Sequence, residues 1–304
     1  MPAFFIVGSA RSGTTLLRVM LNAHSEIAVP PESRFITELY DGNEVEADAW
    51  LERLAAHQRF QAWNLPIEEV RARLDGRAAR VPYPRAVDAA FSAFAAHRGK
   101  SRCGDKTPRY IEDIPLLARL FPEARFVHMV RDGRDVAMSY ADVPFGPKTV
   151  ARVARLWSER VARGMEAGSA IPDRYWEISY EDFVAHPEAK MKSVCGFIGI
   201  EFEDDMLDYA HRARSEVLPR AARYNPRVMS NDIIARRSWR RDMPAFQVEV
   251  FESIAGDMLE HLGYERRFPR PRARAHVAAT AGRLGLPLGR LKREPTPTRR
   301  STDS

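Results

Sequence analysis

Short apolar runs alternate with helical stretches along this chain. The run at residues 4–7 has the length and apolar content of a short buried strand, and the runs at 125–130 and 175–179 also have the pattern of strands. Helical spacing begins at Thr14 after the first run, and similar spacing follows the other two. Strands that alternate with helices predict an α/β fold with a P-loop-like parallel β-sheet flanked by helices on both faces.

Residues 41–100 interrupt this alternation. Trp50 and Leu54 share one helical face, and Phe91 and Phe94 recur later with similar spacing. No strand pattern is visible between them. We therefore expect a helical insertion over one edge of the sheet.

The excess of positive charge is confined to the C-terminal part of the chain. The net charge is +6, but residues 266–304 carry +9 and residues 1–265 carry −3. The basic balance is therefore no evidence that the folded body binds nucleic acid. We expect a single domain over residues 1–268 and a disordered, basic Pro/Arg-rich tail over residues 269–304. An alternative role for this tail is weak contact with an anionic membrane surface, through a weakly amphipathic stretch at 276–291.

Cysteine usage and the N-terminus bear on the cellular compartment. The two cysteines, Cys103 and Cys195, are too few for a disulfide framework, and no Cys/His cluster has zinc spacing. No run approaches the ~20 apolar residues of a membrane span. The first strand starts at residue 4, which leaves no room for a signal peptide. We therefore expect a cytoplasmic, metal-free protein.

A glycine loop follows the first strand. Gly8 and Gly13 bracket it, and two threonines open the next helix. Loops that bind nucleotide triphosphates have a lysine directly before the Ser/Thr position. Here Thr14 stands in the lysine position and the cation is Arg11. Backbone N–H groups, hydroxyls and a guanidinium predict a phosphate-binding loop without standard triphosphate chemistry.

A second candidate anion site follows the strand at 125–130. Arg131 lies at the end of this strand, and Ser139 lies two turns into the next helix. Together they are suited to a second phosphate. An alternative interpretation is that Arg134 and Asp132 simply form a salt-bridged helix start.

Both segments resemble a known family. Val7 to Thr15 (VGSARSGTT) resembles the 5′-phosphosulfate loop of sulfotransferases, and Phe126 to Ser139 (FVHMVRDGRDVAMS) resembles their 3′-phosphate motif. Arg11 to His24, with Glu32 to Arg34, is similar almost residue by residue to the tyrosylprotein sulfotransferase branch. The resemblance implies sulfuryl transfer from 3′-phosphoadenosine 5′-phosphosulfate (PAPS) to a hydroxyl or phenol acceptor, in line and without a metal. It covers residues 4–40, 102–140, about 175–187 and, more loosely, 236–264.

The resemblance also implies roles for individual residues. Glu32 matches the base that accepts the acceptor's proton, and Lys106 matches a lysine at the transferring sulfuryl group, where Arg11 adds charge. Asp105 is then expected to hold Lys106 in place. The donor-binding residues implied are Arg11, Ser12, Gly13, Thr14, Thr15, Arg131, Ser139, Tyr180 and Arg237.

The C-terminal part of the donor site is the least determined. Ser238 stands where the branch has a lysine before its tryptophan, so Arg240 is an alternative to Arg237. Ser230 is a candidate for the transition-state serine of the family. A last helix is predicted over about 245–262.

Two other functions stay open from the residues alone. One is a kinase or nucleotide hydrolase with a degenerate loop, which would depend on ATP and magnesium. The other is an inactive nucleotide-binding protein, which the joint presence of Glu32, Lys106 and Arg11 disfavours. The acceptor is a tyrosine-like phenol, a sugar or a small metabolite. The tyrosylprotein enzymes of higher cells work in the secretory pathway, a role that the expected lack of a signal peptide disfavours.

Overall fold

The structure, a computed structural model, describes residues 1–74, 79–208 and 238–283. The strands in this part are β1 (Phe4–Val7), β2 (Ile27–Ala28), β3 (Glu44–Glu46), β4 (Arg80–Pro82), β5 (Arg102–Cys103), β6 (Asp105–Lys106), β7 (Arg125–Val130) and β8 (Tyr175–Ser179). The helices in this part are α1 (Thr14–Ala23), α2 (Phe35–Glu38), α3 (Ala47–Ala56), α4 (Gln58–Gln61), α5 (Ile67–Arg71), α6 (Tyr83–His97), α7 (Ile114–Leu120), α8 (Gly133–Ala141), α9 (Val150–Ser169), α10 (Tyr180–Ala185), α11 (Pro187–Ile198), α12 (Trp239–Asp242), α13 (Ala245–His261) and α14 (Ala273–Arg283).

The main sheet is parallel, with the strand order β6-β1-β7-β8. Phe5 and Val7 of β1 belong to one buried cluster, whereas Phe4 and Ile6 belong to another. Successive side chains of a strand point to opposite faces, so both faces of β1 are covered. The predicted α/β fold with a parallel sheet is confirmed.

The parallel order brings four strand ends to one edge of the sheet. The glycine loop follows β1, Lys106 ends β6, Arg131 follows β7, and Tyr180 follows β8. Ligands of open α/β sheets bind outside this carboxyl edge. The topology therefore gathers residues that are distant in sequence.

The chain divides into two compact units, whereas the sequence predicts one domain over residues 1–268. The first unit comprises Met1–Arg131 and Glu159–Ile234, and the second comprises Asp132–Ser158 and Ala235–Ser304. Each unit is built from two separate segments of the chain. Composition along the sequence carries no mark of such a division.

The insertion at 41–100 is not purely helical, so that part of the prediction is wrong. β3 and β4 form an antiparallel pair in which Val45 lies opposite Val81. Each strand has three residues, and only its central residue is buried. A run this short leaves no visible alternation in the sequence. The remainder of the described insertion includes α3, α4, α5 and α6, as expected.

The prediction of disorder from residue 269 is wrong for the described part of the tail. α14 packs on α13, with Ala275 and Ala278 buried. Arg272 donates hydrogen bonds from N, Nε and Nη2 to the carboxylate of Glu249, at 2.7, 2.9 and 2.9 Å. A carboxylate more than twenty residues away supplies the anchor, which local composition does not reveal. Residues 284–304 lie outside the described part.

Candidate active site

Both glycines of the phosphate loop are required by close packing. A Cβ added to Gly8 would lie 2.6 Å from the carbonyl oxygen of Met129. Gly13 has φ 96°, and a Cβ there would lie 2.3 Å from the ring of Tyr180. α1 begins directly after Gly13, and no side chain among the described residues caps it. The first N–H groups of this helix can therefore receive an anion.

Arg131 and Tyr180, two of the residues predicted to bind the donor, lie beside this loop. Arg131 donates from Nη1 to the carbonyl oxygen of Arg11 at 3.2 Å. Its guanidinium stacks over the Tyr180 ring, 4.5 Å from the centroid. Ser12 Oγ is buried and has no hydrogen-bond partner among the described residues. An unsatisfied buried hydroxyl next to an uncapped helix start fits an anionic ligand such as a phosphate.

Glu32 and Lys106 form an ion pair at the same sheet edge. Lys106 Nζ donates to Glu32 Oε1 at 3.0 Å, and Arg59 Nη1 lies 3.9 Å from Glu32 Oε2. Burial raises the pKa of Glu32, but the charges of Lys106, Arg59 and Arg34 outweigh it and hold this pKa below its usual value. Burial lowers the pKa of Lys106, although Glu32 opposes this shift. Glu32 is therefore ionised at neutral pH.

Arg59 is a residue that the sequence argument missed. It lies in α4, inside the helical insertion, and its charge reaches Glu32 only through the tertiary fold. The sequence has many arginines at helical positions, and nothing local distinguishes this one. Proximity to Glu32 is the only signal that identifies it.

Asp105 does not hold Lys106 directly, because the ammonium of Lys106 points to Glu32. Asp105 is fully buried, and neither of its carboxylate oxygens accepts a hydrogen bond of normal geometry from the described residues. Burial raises the pKa of Asp105 from 3.8 to about 7, and the nearby hydroxyls of Ser33 and Thr107 offset only part of this rise. Asp105 therefore changes charge near neutral pH.

Asp105→Asn is expected to remove a pH dependence of stability. The pKa of Asp105 is higher in the folded chain, so folding takes up a proton and stability falls as the pH rises from about 4 to about 7. Asparagine stays neutral, so the variant should lose this decline. The melting temperature of each protein across this pH range tests the expectation, with the exposed Asp173→Asn as control. An equal decline in Asp105→Asn and in the unmodified protein would contradict it.

In the second unit, Arg134 and Asp132 form a buried structural network. Asp132 caps α8 by accepting from the backbone N of Arg134 at 2.9 Å. The fully buried guanidinium of Arg134 also bonds Asp132, and it bonds Glu252 at 2.6 Å. It stacks on Trp239 at 3.5 Å. This geometry supports the interpretation of Arg134 and Asp132 as a salt-bridged helix start.

The remaining residues predicted to bind the donor lie in α1, in the second unit or outside the described residues. Thr14 and Thr15 are the first two residues of α1. Ser139 is half-buried in α8 of the second unit, so its joint phosphate site with Arg131 stays a prediction. Arg240 pairs with Glu265 at 3.2 Å. The predicted positions outside the described residues are Ser230, Arg236 and Arg237.

Comparisons with known proteins agree on one family. A model of the sulfotransferase family matches residues 2–204, more than half of the chain. Protein-tyrosine sulfotransferase 2 of Gallus gallus is 29% identical over 87% of this chain and 70% of its own length. The nodulation protein NoeE of Sinorhizobium fredii is 26% identical, over 88% of this chain and 67% of its own length.

Solved structures agree on the fold. The sulfotransferase domain of an olefin synthase from Synechococcus superposes with a TM-score of 0.60 at 24% identity. The match covers 87% of this chain and 95% of that domain.

The prediction of a cytoplasmic location is wrong. The relatives include protein-tyrosine sulfotransferases of several animals, the class whose secretory-pathway role the sequence argument set aside. The residue at which the sequence begins carries no information on location. Within residues 1–74, 79–208 and 238–283, no helix is both long enough and apolar enough to cross a bilayer.

The fold, the site and these relatives agree with one another. The loop with Arg11 lies at the edge of the parallel sheet, together with Arg131 and Tyr180. The family match spans the loop, Glu32 and Lys106, which come together at this edge. The chain therefore belongs to the sulfotransferase family, and protein-tyrosine sulfotransferases are among its relatives.

Proposed function

We propose that the first unit transfers a sulfuryl group from PAPS to an acceptor hydroxyl, in line, with Glu32 as the base. The observation that carries this proposal is the 3.0 Å contact between Glu32 and Lys106 at the sheet edge that also bears the phosphate loop. The relatives named protein-tyrosine sulfotransferases favour a tyrosine phenol as the acceptor.

The loop has the hydrogen-bonding groups and the positive charge that the phosphosulfate end of PAPS requires. Ser12 Oγ is buried without a partner among the described residues, and α1 begins uncapped after Gly13. Thr14 and Thr15 add hydroxyls, and Arg11 adds charge. PAPS supplies the sulfuryl group and a phosphate leaving group, and these residues hold that end and stabilise its charge.

Glu32 has the properties of a base that is ready to act at neutral pH. Its low pKa keeps the carboxylate ionised and able to accept a proton. The same ion pair makes it a weak base, because Lys106 neutralises its charge. In the proposed reaction the ammonium of Lys106 also contacts the sulfuryl oxygens. Its contact with Glu32 then weakens, and the basicity of Glu32 rises.

The cations of the chain can replace a metal in this reaction. Sulfuryl transfer resembles phosphoryl transfer, in which catalysis consists mainly of positioning and charge stabilisation. Arg11, Lys106 and the N–H groups of the loop supply positive charge where P-loop kinases use lysine and magnesium. We therefore propose a metal-independent reaction.

Adenosine 3′,5′-bisphosphate is expected to raise the melting temperature of the protein, and ATP with magnesium is not. A ligand at 100 times its Kd adds about 2.7 kcal/mol to the free energy of unfolding. Differential scanning fluorimetry with each ligand measures this. Transfer of labelled sulfate to a tyrosine-bearing peptide in the presence of EDTA then separates an active enzyme from an inactive binding protein. A shift with ATP and magnesium alone would instead favour a kinase or nucleotide hydrolase.

A further inference from the structure

The segment that carries Glu32 is held by side chains. β2 ends at Ala28, and the backbone of the next residue, Val29, bonds to α1. The N–H of Val29 donates to Asn22 Oδ1 at 2.7 Å. The carbonyl oxygen of Val29 accepts from Asn22 Nδ2 and from Arg18 Nη1, both at 3.0 Å. The amide of Asn22 thus takes the place of a neighbouring strand for this residue.

The same helix forms the end of the phosphate loop. α1 begins at Thr14 beside the proposed donor site, and Asn22 lies in its last turn. Arg18 and Asn22 are four residues apart, so they project from one face of the helix. A helix rises 1.5 Å per residue, which sets about 12 Å between Thr14 and Asn22. The rigid helix α1 therefore connects the phosphate loop to the segment before Glu32.

We infer that Asn22, supported by Arg18, is a positioning residue that fixes Glu32 relative to the phosphate loop. This inference rests on the proposed function. The side-chain amide of Asn22 bonds to Val29, three residues before the base, and acts on Glu32 through this residue.

Two further hydrogen bonds to the backbone of this segment come from different elements. Trp63 Nε1 donates to the carbonyl oxygen of Pro31 at 2.8 Å, and the N–H of Ser33 donates to Thr107 Oγ1 at 3.0 Å. These bonds connect the segment to the insertion and to the turn after β6. Among these contacts, only those of Asn22 and Arg18 fix the position of the base relative to α1, the helix that begins at the phosphate loop.

An asparagine is suited to this position for a chemical reason. Its amide carries both a donor and an acceptor, and Val29 presents one of each. The ionised carboxylate of the variant Asn22→Asp would accept from the N–H of Val29 but could not donate to its carbonyl oxygen. Asn22→Ala would leave the carbonyl oxygen of Val29 to Arg18 and its N–H to water.

Loss of the Asn22 contacts is expected to slow transfer without weakening donor binding. A misplacement of about 1 Å costs about 100-fold in rate when reacting groups are held in a near-attack geometry. We expect kcat of Asn22→Ala to fall by about 10- to 100-fold, with the stabilisation by adenosine 3′,5′-bisphosphate unchanged. Asn22→Asp should be intermediate.

The experiment measures kcat, the KM for PAPS and the shift in melting temperature with adenosine 3′,5′-bisphosphate. Asn43→Ala is the matched control, since the Asn43 amide also accepts a side-chain hydrogen bond, from Tyr40 at 2.9 Å, within the insertion. Asn43→Ala should match the unmodified enzyme. An unchanged kcat in both Asn22 variants would overturn the inference, as would a loss of the ligand-induced shift equal to the loss of rate.

A double mutant isolates the role in positioning. If Asn22 acts through Glu32, then adding Asn22→Ala to Glu32→Gln should leave the residual rate unchanged, because the base is already absent. An equal further loss in the double mutant would show that Asn22 acts independently of Glu32 and would overturn the inference. Failure of the proposed function is distinguishable, because the unmodified protein would then show no transfer, with or without a shift with adenosine 3′,5′-bisphosphate.

Discussion

Glu32→Gln is expected to lower the rate of sulfuryl transfer by about 100- to 10,000-fold, the usual contribution of a general base. Glutamine keeps the shape of the side chain and can still contact Lys106, but it accepts no proton at neutral pH. The phosphate loop is not altered, so stabilisation by adenosine 3′,5′-bisphosphate should persist. Single-turnover kinetics with labelled PAPS measures the chemical step, and scanning fluorimetry measures donor binding.

Glu38→Gln is the matched control for this variant. Glu38 is an exposed glutamate of the same unit, and its carboxylate pairs with His57 at 2.9 Å. Its variant should retain the full rate. Unchanged turnover in Glu32→Gln would reject Glu32 as the base. Loss of the ligand-induced shift would show that the carboxylate organises the donor site instead.

Arg134→Met is expected to destabilise the second unit by about 3–5 kcal/mol, the usual cost of removing one partner of a buried ion pair. Arg134 and Glu252 are fully buried, and Asp132 is nearly so. Methionine fills part of the volume but leaves two carboxylates without their cation. The stacking of the guanidinium on Trp239 is lost as well. Urea unfolding followed by tryptophan fluorescence measures the change.

Arg240→Met separates the role of burial from that of stacking. Arg240 also lies over the Trp239 ring, 4.8 Å from its centroid, but its side chain is 60% exposed. Exposed ion pairs contribute about 0–1 kcal/mol, so this control should change stability little. Equal stability of the two variants would contradict the assignment of Arg134 as the structural centre of this network.

The main strands and the loop could be predicted because their signals are local. β1, β7 and β8 are apolar runs of four to six residues, and the glycine frame stands directly after β1. β6 has two residues and leaves no such signal, yet it carries Lys106. The prediction of a purely helical insertion failed for the same reason, since β3 and β4 have three residues each.

The sequence by itself determined the family, the parallel α/β fold and the identity of Glu32, Lys106 and the loop as candidates, because these follow from contiguous motifs and local periodicity. Only the tertiary structure decided which candidates meet. Glu32 and Lys106 are 74 residues apart in sequence but form a 3.0 Å ion pair. Arg59 reaches Glu32 from the insertion, and Asn22 reaches the segment before it from α1. Such contacts depend on how strands and helices pack, and the charge and pKa of the site depend in turn on the burial that this packing creates.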